Sequence, residues 1–320
     1  MDRPGAVARL RAVLAGFATA HLPDATAWCV ALSGGPDSLA LTAAAAATVP
    51  TTALIVDHRL QAGSAEVAET ARRHALDLGC VAARVVAVDV GAEGGPEGAA
   101  RAARYAALDA ARGDAPVLLA HTLDDQAETV LLGLGRGSGA RSIAGMRVAD
   151  PPWYRPLLAE RRSLTHAACA ELGLTPWDDP HNTDRRFTRV RLRTEVLPLL
   201  EDVLGGGVAD ALARTAAALR EDTQALDDLA DRALDDAEDG EPVAVATLVG
   251  LPTAVRRRVI RRWLLQGGAS GLTDKQIRAV DALVTAWRGQ GGVAVGSDLR
   301  NRRLFAGRRD GRLVLYSQAV

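Results

Sequence analysis

The chain has 320 residues, 48% hydrophobic and 24% charged, an ordinary globular balance that excludes disorder as the main state and leaves room for about two domains. Its 38 basic and 39 acidic side chains leave a net charge of −1, so no global charge points to a nucleic-acid partner. No run approaches the ~18 apolar residues of a membrane span. Cys29, Cys80 and Cys169 are far apart and form no CxxC pair, which argues against a disulfide scaffold, a zinc ribbon or a cysteine-held cluster and for a reducing cytoplasm.

Met1 to Ala20 alternates apolar residues with Arg3, Arg9 and Arg11, the pattern of an amphipathic helix and not of an export signal. A strand is expected over Trp28–Leu32, then a glycine loop, Ser33 to Ser38, and a helix to about Val49. Thr52–Val56 reads as a strand ending at Asp57, Gly63–Gly79 as a helix and Val81–Val90 as a strand. Pro96 opens another helix, as proline does in a first turn. Pro116–Ala120 reads as a strand and Asp124–Leu134 as a helix. This alternation predicts an α/β fold, a parallel sheet with helices on both faces.

After Gly135 the pattern is irregular and proline-rich, with helices expected over Ala159–Leu172 and Arg189–Leu200. Gly205, Gly206 and Gly207 mark the expected joint between a first domain, 1–204, and a second, 208–320. The second is expected to be smaller and mainly helical. Its helices fall at Val208–Asp236, Pro252–Leu265 and Thr273–Arg288, and short strands with a hairpin at Asp310–Gly311 close it. Arginines cluster at Arg185–Arg193, Arg256–Arg262 and Arg300–Arg312, against an acidic run from Glu221 to Glu241.

Ser33-Gly34-Gly35-Pro36-Asp37-Ser38 stands between a strand and a helix. Backbone N–H groups of such a loop converge on an anion, and the helix N-terminus adds partial positive charge. Ser33 and Ser38 can donate hydroxyls, and Asp37 can hold magnesium. A Walker A loop needs a lysine before its last Ser or Thr, and none is there. The plain alternative is a tight turn with a helix cap.

The loop resembles the signature of the PP-loop ATP pyrophosphatases, which cleave ATP between its α and β phosphates. His121-Thr122-Leu123-Asp124-Asp125-Gln126-Ala127-Glu128-Thr129, continued through Arg136-Gly137-Ser138-Gly139, resembles the second signature of the tRNA(Ile)-lysidine synthases. Asp57-His58, Glu97 with Arg101 and Arg104-Tyr105, Arg155–Leu158, Asp179-Pro180, Asn182, Arg189–Arg193 and Pro198 fall in the same order. The likeness spans about residues 28 to 200. One departure is Val190, where the family usually carries Asn.

The resemblance implies an ATP-dependent ligase. It adenylates the wobble cytidine of a tRNA(Ile) with CAU anticodon and joins free lysine to it, giving lysidine, AMP and pyrophosphate. ATP, magnesium, lysine and that tRNA are the implied ligands. Asp37, Asp124, Asp125 and Glu128 are then the catalytic candidates. On a helix starting at Asp124, Asp124 and Glu128 share a face, and Asp125 and Glu128 are neighbours; acids in a first turn also simply complement the helix dipole. Ser33, Gly34, Gly35, Pro36, Asp37, Ser38, Asp57, His58 and His121 are candidates for ATP, and Asp37 for the metal. Arg104, Asp125, Glu128 and Arg193 are candidates for lysine or the adenylate. Arg189, Arg256, Arg257, Arg261, Arg302 and Arg303 are candidates for tRNA phosphates. A small-molecule amide synthetase and a non-catalytic nucleotide-binding module are the competing readings, and a thiolating relative would need paired cysteines.

Overall fold

Alternate residues of the early strands enter different cores: Trp28 and Val30 one, Cys29 the other; Ala53 and Ile55 the first, Leu54 the second. Burial on both faces with period two makes a sheet covered by helices on each side. The computed structural model describes residues 5–59, 63–89, 91, 96–137, 139–234 and 242–319. Met1, Arg3, Val90, Ser138, Asp236 and Glu241, singled out in the sequence, lie outside the described residues.

In chain order come α1 (Ala6–His21), β1 (Trp28–Ala31), α2 (Pro36–Ala46), β2 (Thr51–Asp57), α3 (Ser64–Asp77), β3 (Ala82–Ala87), α4 (Pro96–Ala111), β4 (Val117–Leu118), α5 (Leu123–Gly135) and α6 (Ala140–Ile143). Then follow β5 (Ala149–Asp150), β6 (Trp153–Tyr154), α7 (Arg162–Glu171), α8 (Thr188–Arg191), α9 (Leu197–Val203) and α10 (Val208–Leu234). The sheet order is β3-β2-β1-β4-β6-β5. All pairs are parallel except β5 with β6. The sheet is the expected parallel one, with this last pair as an antiparallel edge. Only Pro151 and Pro152 join β5 to β6, and so short a connection can only reverse the chain. The carboxyl ends of β1, β2 and β4 lead into the glycine loop, Asp57-His58 and His121, the edge where ligands of open α/β sheets bind.

Three expected boundaries shift for visible reasons. Helix α5 starts at Leu123 because Thr122 caps it: the Thr122 hydroxyl accepts from Asp125 N at 3.4 Å, and Asp125 Oδ2 accepts from Thr122 N at 2.8 Å. The helix expected over Ala159–Leu172 starts at Arg162, where Asp124 Oδ2 accepts the Arg162 N–H at 2.7 Å. The single helix expected over Arg189–Leu200 is α8 and α9 joined by a π-helical turn, Leu192–Val196. Pro198 has no N–H to return to the Thr194 carbonyl, so the regular ladder breaks there.

The chain forms two compact units, Met1–Gly137 with Ser142–Ala216, and Ser138–Arg141 with Ala217–Val320. The first continues past Gly205–Gly207, the expected joint. The early turns of α10 carry Ala209, Leu212 and Ala213 into a cluster with Leu123, Ala127 and Leu197, and this packing draws them into the first unit.

The second unit adds β7 (Val243–Ala244), α11 (Val245–Val249), α12 (Thr253–Gln266), α13 (Asp274–Thr285), β8 (Val293–Val295), β9 (Arg302–Arg309) and β10 (Arg312–Ala319). Its sheet, β7-β10-β9-β8, is antiparallel. Val259, Ile260, Trp263 and Leu264 of α12 pack with Val280 and Leu283 of α13 and with Ala306 and Leu313 of the sheet. The hairpin forms at Asp310–Gly311 as expected; both residues have positive φ, 47° and 72°, the conformation a two-residue hairpin turn demands.

Candidate active site

Gly34 has φ 85°, a value that suits glycine. Its carbonyl accepts from Trp177 N at 3.0 Å, which fixes the loop from outside the motif. Ser38 ties the loop together: its Oγ donates to the Gly35 carbonyl at 2.9 Å and accepts from Ser33 N at 3.2 Å. The two hydroxyls of Ser33 and Ser38 are 3.1 Å apart. Pro36 stands in the first turn of α2, and Gly35 precedes it as the N-cap. The exposed Ser33 and the N-terminus of α2 thus face the solvent edge of the sheet with donors that suit phosphate.

Asp37, in that first turn, is met by α7. Arg162 Nε donates to Asp37 Oδ2 at 3.3 Å, and the buried Thr165 hydroxyl donates to Asp37 Oδ1. Burial nevertheless holds the Asp37 carboxyl above its ordinary pKa, outweighing the Thr165 bond and the Arg162 charge.

The same guanidinium reaches α5. Arg162 Nη2 lies 2.5 Å from Asp125 Oδ1 and Nη1 3.6 Å from Glu128 Oε1. Arg161 Nη2 meets Asp124 at 3.0 Å. From the π-helical turn, Arg193 Nε meets Glu128 Oε1 at 2.8 Å and Nη2 meets Asp125 at 3.6 Å. Arg189 Nη1 stands 3.6 Å from Glu128 Oε2. Burial works to raise the Asp125 pKa, yet Arg162, the Thr122 bonds and His121 overcome it and hold the group below the usual carboxylate range. Burial also opposes the charge on Arg162, but Asp125, Asp37, Glu128 and Asp124 together raise its pKa. A cleft of about 150 Å³ opens beside this cluster, lined in part by Asp124, Glu128, Arg162, Arg193 and Leu197.

On the other side of β1, Asp57 is buried and its Oδ1 accepts the Arg59 N–H at 2.9 Å. His58 Nδ1, His121 Nδ1 and Arg155 Nε are buried and have no hydrogen-bond partner among the described residues. Burial lowers the His58 pKa, and the Arg104 charge lowers it further. Burial pushes His121 down to about 4, with help from Arg155, Arg101 and Arg104. Both imidazoles are therefore neutral near pH 7 and offer ring nitrogens to a ligand.

The structure thus gathers Asp37, Asp124, Asp125, Glu128, Arg193 and Arg189 at one place. Arg189, expected at tRNA phosphate, meets Glu128 and donates to Thr129 Oγ1 at 3.4 Å. Val190 is buried, so the position that departs from the family pattern faces the core. Arg162 and Thr165 were not foreseen.

In the second unit the expected tRNA arginines divide. Arg256 is a correction. It is buried, its Nε donates to Asp281 at 2.6 Å and its Nη1 to the Leu251 carbonyl at 2.9 Å, so an internal partner takes the place of a phosphate. Arg257 shares Asp281, at 3.0 Å. Arg302 is exposed and donates to Ser317 Oγ at 2.8 Å and to its carbonyl at 3.0 Å. Arg303 is exposed and Arg261 half-buried.

A doubly covered sheet with a glycine loop at the end of β1 and a carboxylate–arginine cluster beside it defines an ATP-using enzyme of the PP-loop class. The family model described as "PP-loop domain" matches residues 9–200, and that described as "TilS substrate binding domain" matches residues 244–314. The chain is 71% identical over 320 residues to the tRNA(Ile)-lysidine synthase of Mycolicibacterium paratuberculosis, covering 100% of both. It is 71% identical over 324 residues to that of Mycobacterium tuberculosis, again covering 100% of both. The chain belongs to the tRNA(Ile)-lysidine synthase family. Among solved structures, the U34-tRNA thiolase NcsA from Methanococcus maripaludis shares the fold, with a TM-score of 0.54 at 16% identity over 68% of this chain and 80% of that one.

Proposed function

We propose that the chain uses ATP to adenylate the wobble cytidine of tRNA(Ile) with CAU anticodon and joins free lysine to it, which moves codon reading from AUG to AUA. The observation that carries this reading is the guanidinium of Arg162, which touches Asp37 at the phosphate loop and Asp125 on α5 at once. That double contact supports the reading of a phosphate site and an acidic site for a cationic amino acid side by side.

In the first step the ring carbonyl oxygen attacks the α-phosphorus and pyrophosphate leaves. The loop from Ser33 to Ser38 grips the pyrophosphate, and arginines offset charge on the phosphorus oxygens. In the second step the lysine amine attacks the ring carbon and AMP leaves with the oxygen. Asp125 and Glu128 bind the ammonium, and a carboxylate of this group takes its proton. Asp57, His58 and His121 meet adenine or ribose, and Arg104 the adenylate.

Asp37 fits magnesium, which commonly takes one or two carboxylates together with phosphate oxygens. Its carboxyl is desolvated enough to carry a raised pKa, a state a divalent cation relieves. A bound magnesium ion would neutralise phosphate charge beside the loop. For the tRNA, Arg261, Arg302 and Arg303 supply phosphate contacts. No helix among the described residues is long and apolar enough to cross a membrane. A cytoplasmic setting completes the proposal, supported by three unpaired buried cysteines.

Transfer of labelled lysine to tRNA(Ile) with ATP and magnesium, with AMP followed in the same tube, tests the reading. Incorporation that needs both ATP and the CAU-bearing tRNA, and is lost in Asp37→Ala, is the expected result. AMP release without incorporation discards the substrate assignment.

A further inference from the structure

Without any substrate, the acidic cluster is already matched. Asp37, Asp124, Asp125 and Glu128 are met by the guanidinium groups of Arg161, Arg162, Arg189 and Arg193. Four carboxylates and four guanidinium groups sum to zero charge. A lysine ammonium entering this cluster meets no uncompensated carboxylate, and Glu128 has no exposed surface to offer. A cation binds Asp125 and Glu128 strongly only when one of the resident guanidinium groups gives way.

The contacts single out which one. Among the described residues, Arg162 alone bridges the phosphate loop and α5, at 3.3 Å from Asp37 and 2.5 Å from Asp125. Its backbone N–H is fixed on Asp124 at 2.7 Å, so a swing is confined to the side chain. Phosphates arriving at the loop beside Asp37 offer the guanidinium fork a bidentate, more highly charged acceptor than a single carboxylate.

We propose that Arg162 is a placeholder for the cationic amino acid: in the nucleotide-free protein its guanidinium fills the pocket of Asp125 and Glu128, and its transfer to the nucleotide's phosphates opens that pocket, so that lysine binds after ATP. The inference rests on the reading of those two carboxylates as the lysine site. No bond is made or broken in the exchange; one cation replaces another on the same oxygens.

Equilibrium dialysis of labelled lysine against the full chain tests it, with tRNA(Ile) present throughout, with and without α,β-methylene ATP and magnesium. The analogue resists cleavage between the α and β phosphates. Lysine affinity is expected to rise on the order of ten-fold or more with the analogue, and lysine to tighten the analogue by the same factor, since coupling is reciprocal. Equal lysine affinity in the two arms overturns the placeholder. Arg162→Gln is expected to bind lysine more tightly than the parent without nucleotide and to show little coupling. A merely structural role for Arg162 would instead weaken lysine in both arms, and that result also overturns the proposal. If Arg162→Gln does not fold, Arg162→Lys takes its place. A single ammonium cannot span Asp37 and Asp125, so reduced coupling supports the placeholder and full coupling sinks it. Lysine transfer to tRNA is measured on the same preparation. Transfer without coupling removes the placeholder and leaves the ligase reading, whereas no transfer removes both.

Discussion

Arg193 grips Glu128 with two nitrogens, Nε at 2.8 Å and Nη2 at 3.3 Å, from a π-helical turn. Glu128 is wholly enclosed. A charge taken out of water at that depth persists only if it is paired and hydrogen-bonded. The break in the helix before Pro198 therefore has a consequence for chemistry. It sets Arg193 to reach Glu128 and Asp125, while Arg189, on the preceding turn, still reaches Glu128.

Removal of Arg193 leaves Glu128 with Arg162 and Arg189, each at 3.6 Å. Arg193→Ala is expected to destabilise the first unit by about 3 kcal/mol, the lower end for breaking a buried pair, because two cations remain. The denaturant midpoint should fall with an unchanged slope. The same variant should raise the KM for lysine more than that for ATP. A KM change confined to ATP would move Arg193 to the phosphate side of the site.

Arg256 and Asp281 form the buried pair of the second unit, with side chains 9% and 6% exposed. Arg256→Ala leaves the Asp281 carboxylate to Arg257, at 3.0 Å. A loss of about 3–5 kcal/mol is expected, read as an early unfolding transition. The salt dependence of tRNA binding at low temperature, where the unit stays folded, should be unchanged. A flatter salt dependence would return Arg256 to the phosphate contacts.

His121 links the site to acid stability. Its folded pKa, about 4, lies below the ordinary histidine value of 6.5. Between those values the unfolded chain binds a proton that the native chain does not, so stability falls as pH drops from about 6.5 towards 4. The contribution is full above the unfolded value and is lost by the time pH passes the folded one. One proton corresponds to a slope of at most about 1.4 kcal/mol per pH unit. His121→Gln should remove that slope in denaturation series run across the window. An unchanged slope would show that His121 stays solvated and titrates normally.

The glycine loop and the acids of α5 were legible because each is a contiguous motif whose local structure, a strand-to-loop-to-helix turn or a capped first helical turn, follows from neighbouring residues. Arg162 was not, because its partners come from distant positions: it is 125 residues from Asp37 and 37 from Asp125. A trace did exist. Arg161 and Arg162 stand at a helix start, where the dipole disfavours cations, so anions had to be nearby. The misplacement of Arg256 has a different cause. Successive residues on a helix point about 100° apart, so an arginine cluster in sequence is not a cluster in space. On α12, Arg256 turns to Asp281 and Arg258 to Asp227. The strands β5 and β6 were hidden by their length, two residues each, and by the prolines between them.

Arg261 and Arg303 remain the arginines of the second unit best suited to phosphate. Neither side chain has an ion pair or hydrogen bond among the described residues, while the side chains of Arg256, Arg257, Arg258 and Arg262 are held by Asp281, Asp227 and Asp231. Each phosphate contact releases about one counterion, so it contributes close to one unit to the slope of log affinity against log salt. Arg261→Gln and Arg303→Gln are each expected to flatten that slope by ~1 and to weaken binding of any tRNA alike, because phosphate contacts carry no sequence information. Nucleotide binding in the first unit should be untouched. Filter binding of tRNA(Ile) across a salt series, beside a nucleotide titration, separates the outcomes. A full parental slope in both variants would place the tRNA on another surface.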